Sequence, residues 1–237
     1  MAYGEYESQQ ALAEHLPDNV AVPLSYGTFQ LDASKSFFLT PFLKFEDSFP
    51  DPMQLTKILE KLHRSSTSPT GKYGFHVQTF NGVVPLINDW CDTWEEWFSR
   101  QFRSDIAWEQ SIAGPDPEFD RVADEFFEKV IPRLLRPLET GVEFHMMREP
   151  RYQFSEKHIQ AYRNVVGASD PVADFDDRNI LYAMRDNIIN AGLHEGRRYL
   201  RKKVQNEMLR PISKYPDGFE GFKVPALEVD PRAFDSK

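Results

Sequence analysis

Six histidines, at positions 15, 63, 76, 145, 158 and 194, are the first candidates for chemistry, because imidazole serves both as metal ligand and as acid–base group. A helical metal site needs two such ligands three or four residues apart, so that both face one point. No two of these histidines have that spacing. They read as solvated or core side chains, and the sequence offers no metal site. Cys91 is the single cysteine. It has no neighbouring His, Lys or Arg to favour a thiolate, which argues against a nucleophile, and alone it builds neither an internal disulfide nor a cysteine-based zinc centre. Trp90, Trp94 and Trp97, followed by Phe98 and Phe102, make an aromatic stripe at helical spacing. Such a stripe stacks a sugar or a base, or it packs as core; the spacing favours core. Neither Gly-x-Ser-x-Gly nor the phosphate loop Gly-x-x-x-x-Gly-Lys-Ser/Thr occurs.

Periodicity shows which elements must carry these residues. Gly4–Leu16 reads as a short polar helix with Leu12 and Leu16 in register and Pro17 as its stop. Residues 22–29 and 36–40 are rich in β-formers and flank the turn-like Asp32-Ala33-Ser34-Lys35, which predicts a β-hairpin; after Pro41 no further strand is expected. Asp51-Pro52 is an N-cap followed by proline at the first helical position, ahead of Leu55, Ile58, Leu59 and Leu62 at i, i+3, i+4, i+7. Residues 65–74 read as loop, and the stripe that begins at Trp90 reads as the next helix. Asp116-Pro117 repeats the cap before Phe119, Val122, Phe126, Phe127, Val130, Ile131 and Leu134, the strongest helical pattern in the chain, with Pro132 expected to kink its last turns. Helices over 155–166, 176–191 and 195–209 follow, then a turn over 214–218. Asp174-Phe175-Asp176 resembles a metal-binding Asp-Phe-Gly triplet on paper, but it stands at the start of a helix, where N-capping is the better reading. Together these predict a small β-containing N-terminal piece, residues 1–48, and a larger helical lobe, residues 49–237.

Charge narrows the partners. The 237 residues hold 28 Lys+Arg against 37 Asp+Glu, a formal charge of −9, the opposite of the basic surface a nucleic acid requires. No apolar run approaches the roughly 20 residues that span a bilayer. The acidic start, Met1-Ala2-Tyr3-Gly4-Glu5, has neither the basic nor the apolar region of a secretory signal. A single cysteine fits a reducing compartment, so a cytoplasmic location is expected. Aromatic residues make up 14% of the chain, with 19 Phe, which predicts a core built around large rings.

Longer strings carry a resemblance. Residues 62–77, from Leu62-His63-Arg64 to Phe75-His76-Val77, then Thr79-Phe80-Asn81-Gly82 and the Trp90–Phe98 stretch, resemble the fungal branch of the fructosamine/ketosamine 3-kinase family, which includes the protein-ribulosamine 3-kinases. So do residues 129–141, 177–185 and 214–221, in the family's order and through nearly the whole chain. The resemblance implies an α+β, protein-kinase-like (aminoglycoside-phosphotransferase-like) fold with ATP and Mg²⁺ between a β-rich N-lobe and a helical C-lobe. It implies phosphorylation of the third hydroxyl of a sugar carried on a lysine amine, a step in protein deglycation, with a glycated protein or ketosamine as substrate. Tyr3–Glu7 resembles the family's Phe-x-Gly-Glu stretch, which makes Glu5 the candidate for the helix Glu that pairs with the ATP-binding lysine, with Glu7 as the alternative. Thr40, Pro41 and Phe42 fall at the family's hinge, where backbone groups meet adenine, although Pro41 has no N–H to donate. Gly71–His76, in particular Gly74, Phe75 and His76, together with Asn88 and Trp90, fall between the family's lobes, as ligand-side residues or as loop structure.

Two departures qualify what is implied. The family's Gly-rich loop and strand lysine would lie before Met1. Its His-Gly-Asp-Leu-Trp-x-Gly-Asn run and the metal-binding Asp after it would lie where Pro137–Gly141 passes directly into Val142–Met147 and Arg148-Glu149-Pro150-Arg151. The tripeptide His-Gly-Asp occurs nowhere. The expectation is a family member with no intact catalytic residue, no metal ligand and weakened ATP binding, because phosphoryl transfer is positioning and electrostatics around the phosphates. Three readings stay open: an ATP-dependent 3-kinase, a non-catalytic pseudokinase or binding module with a protein partner, and a fragment from an incomplete gene model. Loss of the block is also expected to uncover apolar helix faces, among them some of Phe119, Phe126, Phe127 and Ile131, and to leave the isolated chain molten or dependent on a partner.

Overall fold

The computed structural model describes residues 1–44, 50–140, 156–220 and 222. Helix α1 (Ala2–His15) ends where the Leu16 N–H donates to the Leu12 carbonyl at 2.8 Å. Strands β1 (Ser25–Phe29) and β2 (Asp32–Leu39) pair antiparallel from Ser25↔Leu39 to Thr28↔Ser36, and then the register jumps to Phe29↔Asp32. The expected turn at 32–35 is therefore an irregularity inside β2. Asp32 Oδ1 accepts the Ser34 N–H at 3.1 Å and its carboxylate meets Lys35 at 3.1 Å, local bonds that replace ladder bonds. α1 covers one face of this hairpin, with the Tyr6 ring 4.8 Å from Tyr26 and 6.5 Å from Phe38.

Helix α2 (Pro52–Ser65) begins as its sequence predicts, with Asp51 accepting the N–H groups of Met53 and Gln54, each at 3.0 Å. Strands β3 (Phe80–Asn81) and β4 (Val84–Pro85) correct the expectation that strand structure ends at Pro41. A ladder of two residues on each side is too short for alternation to register in a sequence. Helix α3 (Trp94–Ala113) starts later than its aromatic stripe suggested, because the Thr93 side chain caps it by accepting the Glu96 N–H at 3.1 Å. Trp90 thus precedes the helix. Asp116 caps α4 (Pro117–Leu135) through the Phe119 N–H at 3.0 Å, and α4 passes Pro132 before tightening into a 3₁₀ turn at Arg136–Thr140. Helices α5 (Glu156–Val165), α6 (Phe175–Leu193) and α7 (Tyr199–Lys214) complete the described chain. α7 outruns its expected end at Leu209 because Pro211 and Ile212 are buried, so packing sustains the turn that proline weakens.

The core lies between α3, α4, α6 and α7. Trp94 and Trp97 stack at 5.1 Å and pack against it, and Trp94 Nε1 donates to the Tyr182 hydroxyl at 2.9 Å. Phe119, Phe126, Phe127 and Ile131 are 1%, 0%, 6% and 0% exposed, which overturns the expectation of uncovered faces there. α4 meets α7, α3 and α6, and these four residues belong to the core the helices share. The capping reading of Asp174 is also corrected. It holds the N-cap position of α6 without a capping bond, and its buried carboxylate instead takes Arg133 at 2.5 Å and the Tyr215 hydroxyl at 3.1 Å. A buried carboxylate gains more from a guanidinium than from a neutral N–H. The junction at residues 141–147, where the family's catalytic block would enter, lies outside the described residues.

Candidate functional site

Gly4 is the one residue of α1 that is buried, and a Cβ there would fall 2.2 Å from the Gln78 carbonyl oxygen. Glycine lets the helix backbone rest directly on the segment around residue 78. One turn along, Glu7 then reaches His76, with Oε2 and Nε2 2.9 Å apart. α1 and the residue 74–79 segment are thereby joined at two points.

That segment folds against residues 86–91. Tyr73 and Cys91 exchange backbone bonds at 2.9 and 2.8 Å, the Phe75 N–H donates to the Asn88 carbonyl at 2.9 Å, and the Leu86 N–H donates to the Thr79 carbonyl at 3.0 Å. Gly74 permits the closest approach, since a Cβ there would stand 2.7 Å from the Asn88 carbonyl oxygen and 3.0 Å from the Trp90 Cα. Asn88 donates its amide protons to the Val77 carbonyl at 2.6 Å and the Thr79 hydroxyl at 2.7 Å. Its amide group therefore staples the loop. Between the two segments lies a cavity of about 550 Å³, lined by Phe75, His76, Val77, Gln78, Pro85, Leu86, Ile87, Asn88, Asp89 and Trp90, with Ser104 of α3 behind them. Its size suits a small organic ligand.

Of the residues singled out from sequence, Phe75, His76, Asn88 and Trp90 converge on this cavity, and Gly74 packs beneath it. Glu5 is exposed on α1 and does not line it. Glu7, the alternative, touches its wall through His76. Thr40, Pro41 and Phe42 follow β2 and do not line it either; the Phe42 side chain is 94% exposed. Val77, Gln78, Pro85, Leu86, Ile87, Asp89 and Ser104 line it with no motif of their own in the sequence. The Gly82 turn between β3 and β4, with φ +61°, is the one local signal that the chain doubles back to bring them in.

Asp89 lines the cavity with Gln78 and Ser104, Glu7 is paired with His76 at its wall, and the Arg100 guanidinium lies on the backbone carbonyls of Ile87 and Asp89. The charge of Glu7, with a smaller contribution from burial, raises the Tyr3 phenol above its ordinary value. Burial raises the Cys91 thiol above its ordinary value, against a smaller opposing pull from the Arg100 charge. Among the described residues no three His, Cys, Asp or Glu side chains stand close enough together to hold a metal ion.

Comparison with known proteins places this geometry. The family model described as fructosamine kinase matches residues 1–134, more than half of the chain. Chloroplastic protein-ribulosamine 3-kinases of Oryza sativa subsp. indica and subsp. japonica are each 34% identical over 83 residues. That match covers 35% of this chain and only 24% of each rice protein. In three dimensions the chain is similar to a crystal structure assigned as a fructosamine-3-kinase from Haemophilus somnus 129PT, with a TM-score of 0.60 at 16% identity, covering 90% of this chain and 79% of that one. The α+β, kinase-like fold is shared.

Proposed function

Because the chain belongs to the fructosamine kinase family, we propose that its cavity receives the sugar of a ketosamine, on a glycated protein or free, and that these 237 residues bind it without phosphorylating it. The observation that carries this reading is the convergence of Phe75, His76, Asn88 and Trp90 on one cavity of about 550 Å³. A sugar offers a C–H face to an aromatic ring and hydroxyls to amide, hydroxyl and imidazole groups, which Trp90, Gln78, Ser104 and His76 supply. The amine that links sugar to lysine is cationic at neutral pH, and the Asp89 carboxylate at the cavity complements it. Residues 1–48 contribute Glu7 and residues 49–237 the cavity wall, the division into two pieces on which this reading draws.

A kinase family implies ATP as phosphoryl donor, with Mg²⁺ at its phosphates. The described residues do not fit that pair. No three His, Cys, Asp or Glu among them stand together as metal ligands, Pro41 has no N–H for a purine, and Phe42 projects into solvent. No His-Gly-Asp is present in the sequence to supply the general base. Deglycation by 3-phosphorylation therefore belongs to the family and not, on this reading, to these residues. A cytoplasmic setting is proposed with it; among the described residues no helix is long and apolar enough to cross a membrane.

Titration calorimetry with a fructosyl- or ribulosyl-lysine peptide, alongside incubation with γ-labelled ATP and Mg²⁺, tests both halves. The expected result is saturable ketosamine binding that Trp90→Ala abolishes, with no labelled product. Absence of ketosamine binding overturns the substrate reading. Steady turnover that EDTA stops overturns the non-catalytic one.

A further inference from the structure

The wall of the cavity formed by residues 86–89 is not held by its own hairpin. β3 and β4 pair over two residues each, far less than a free-standing ladder needs. Helix α3 supplies what is missing. Gln101, fully buried, accepts the Ile87 N–H on its side-chain oxygen at 2.7 Å and donates its amide to Asp105 Oδ1 at 2.8 Å. The other Asp105 oxygen takes Arg185 Nε from α6. Asp105 is also fully buried. A carboxylate only accepts, so Asp105 obliges Gln101 to present its NH₂ inward and leaves the carbonyl facing Ile87. One residue earlier, Arg100 Nη2 donates to the carbonyls of Ile87, at 3.3 Å, and of Asp89. Ile87 therefore has both its N–H and its C=O set by α3.

We propose that Gln101, oriented by the Asp105–Arg185 pair and assisted by Arg100, is the positioning residue of the cavity: it fixes the backbone of residues 86–89 so that Asp89 and Trp90 face the ligand beside the Asn88 staple. The proposal rests on the ligand reading above only for what the cavity binds. Gln101 touches no ligand; it acts through Ile87. The arrangement also makes α6 a second determinant of cavity shape, since Arg185 reaches the wall through two intervening side chains.

Amide hydrogen exchange on the full chain, paired with calorimetry against a fructosyl-lysine peptide, tests it. In Gln101→Leu the Ile87 amide is expected to exchange at least about tenfold faster, the equivalent of one lost hydrogen bond, while the Phe102 and Ile106 amides of α3 keep their protection. Ketosamine affinity is expected to fall by about tenfold. Arg100→Met, at a half-buried position on the helix surface, is expected to weaken affinity in the same way without touching the buried pair, so it decides the matter if Gln101→Leu does not fold. An unchanged Ile87 amide in a folded Gln101→Leu, or exchange accelerated evenly along α3, overturns the proposal; so does unaltered affinity in Arg100→Met where Gln101→Leu cannot be read. If the unsubstituted chain binds no ketosamine, the substrate reading fails, and the Ile87 amide exchange rate, in Gln101→Met if Gln101→Leu does not fold, still decides this one, because either variant removes the oxygen that accepts the Ile87 N–H.

Discussion

At the scale of single residues, the cavity depends on two glycines, Gly4 and Gly74, that matter for the space they leave empty. Gly4→Ala places a methyl 2.2 Å from the Gln78 carbonyl oxygen, and neither backbone can yield without moving α1. We expect a loss of about 1–3 kcal/mol in urea denaturation, the range for overpacking, together with separation of the Glu7–His76 pair. Gly196→Ala is the control, because nothing lies within 4 Å of its Cβ position; it is expected to leave stability unchanged within about 0.5 kcal/mol. The Glu7–His76 contact itself is half exposed on the histidine side, so Glu7→Gln is expected to cost no more than about 1 kcal/mol. In the sequence Glu5 and Glu7 were alternatives for the Glu that pairs with an ATP-binding lysine, and nothing there announced a contact with His76. Which of the two meets the loop depended on the direction each side chain takes from the helix, and that is set by the docking of Gly4.

At the scale of elements, caps were readable because they are local. Asp51 and Asp116 each bond N–H groups two or three residues ahead, as their Asp-Pro contexts announce. Asp51→Ala is expected to lower stability by about 1 kcal/mol in thermal or urea unfolding. The junction of α4, α6 and α7 is of another kind. Tyr215 donates within bonding distance of both Asp174, at 3.1 Å, and Asp177, at 2.7 Å, and Arg133 lies over its ring. Burial, reinforced by the bond to Asp177 and the charge of Asp174, pushes the Tyr215 phenol far above its ordinary value. The folded chain therefore holds that proton where the unfolded chain releases it. The resulting stability is whole below about pH 10, the unfolded value, and declines as pH rises beyond it. Tyr215→Phe is expected to remove this alkaline slope from stability measured between about pH 9 and 11, and to cost about 1.5–3 kcal/mol near neutrality, the worth of hydrogen bonds to charged groups. Asp177 works on the acid side. Burial pulls its carboxyl upward, but bonds from Lys214 and Tyr215 more than offset that and hold it below its ordinary value, so its contribution is present above about pH 4 and is lost as acid protonates it.

For the whole molecule, the buried faces of α3, α4, α6 and α7 argue for one cooperative unit. The apolar side chains that remain exposed include Leu24, Phe29, Leu31, Leu39 and Phe42, in and around the β1–β2 hairpin. We expect a single sharp transition in circular dichroism at 222 nm, with Phe126 and Ile131 amides protected to the same free energy as global unfolding. A broad melt with dye binding in the helical core would contradict the closure of α4 over its neighbours. Millimolar Mg-ATP is expected to leave the melting temperature unmoved, whereas occupancy at 100 times a dissociation constant would add about 2.7 kcal/mol.

What the residues alone determined were features of short range and of lineage. The caps at Asp51 and Asp116, the packing of Trp94, Trp97, Phe98 and Phe102 at the core, and the strings shared with a kinase family all follow from neighbours in the chain. The tertiary structure decided whatever required two distant segments to meet. Asp174 looked like a cap and became the partner of Arg133, 41 positions away. Phe119, Phe126, Phe127 and Ile131 are buried in a core that α4 shares with α3, α6 and α7, and Phe127 packs against Phe102 of α3. The cavity exists because residues 74–79 pair with 86–91 and α3 pins Ile87 from below. No periodicity records such contacts, since each bond joins residues whose spacing in sequence says nothing of their spacing in the fold.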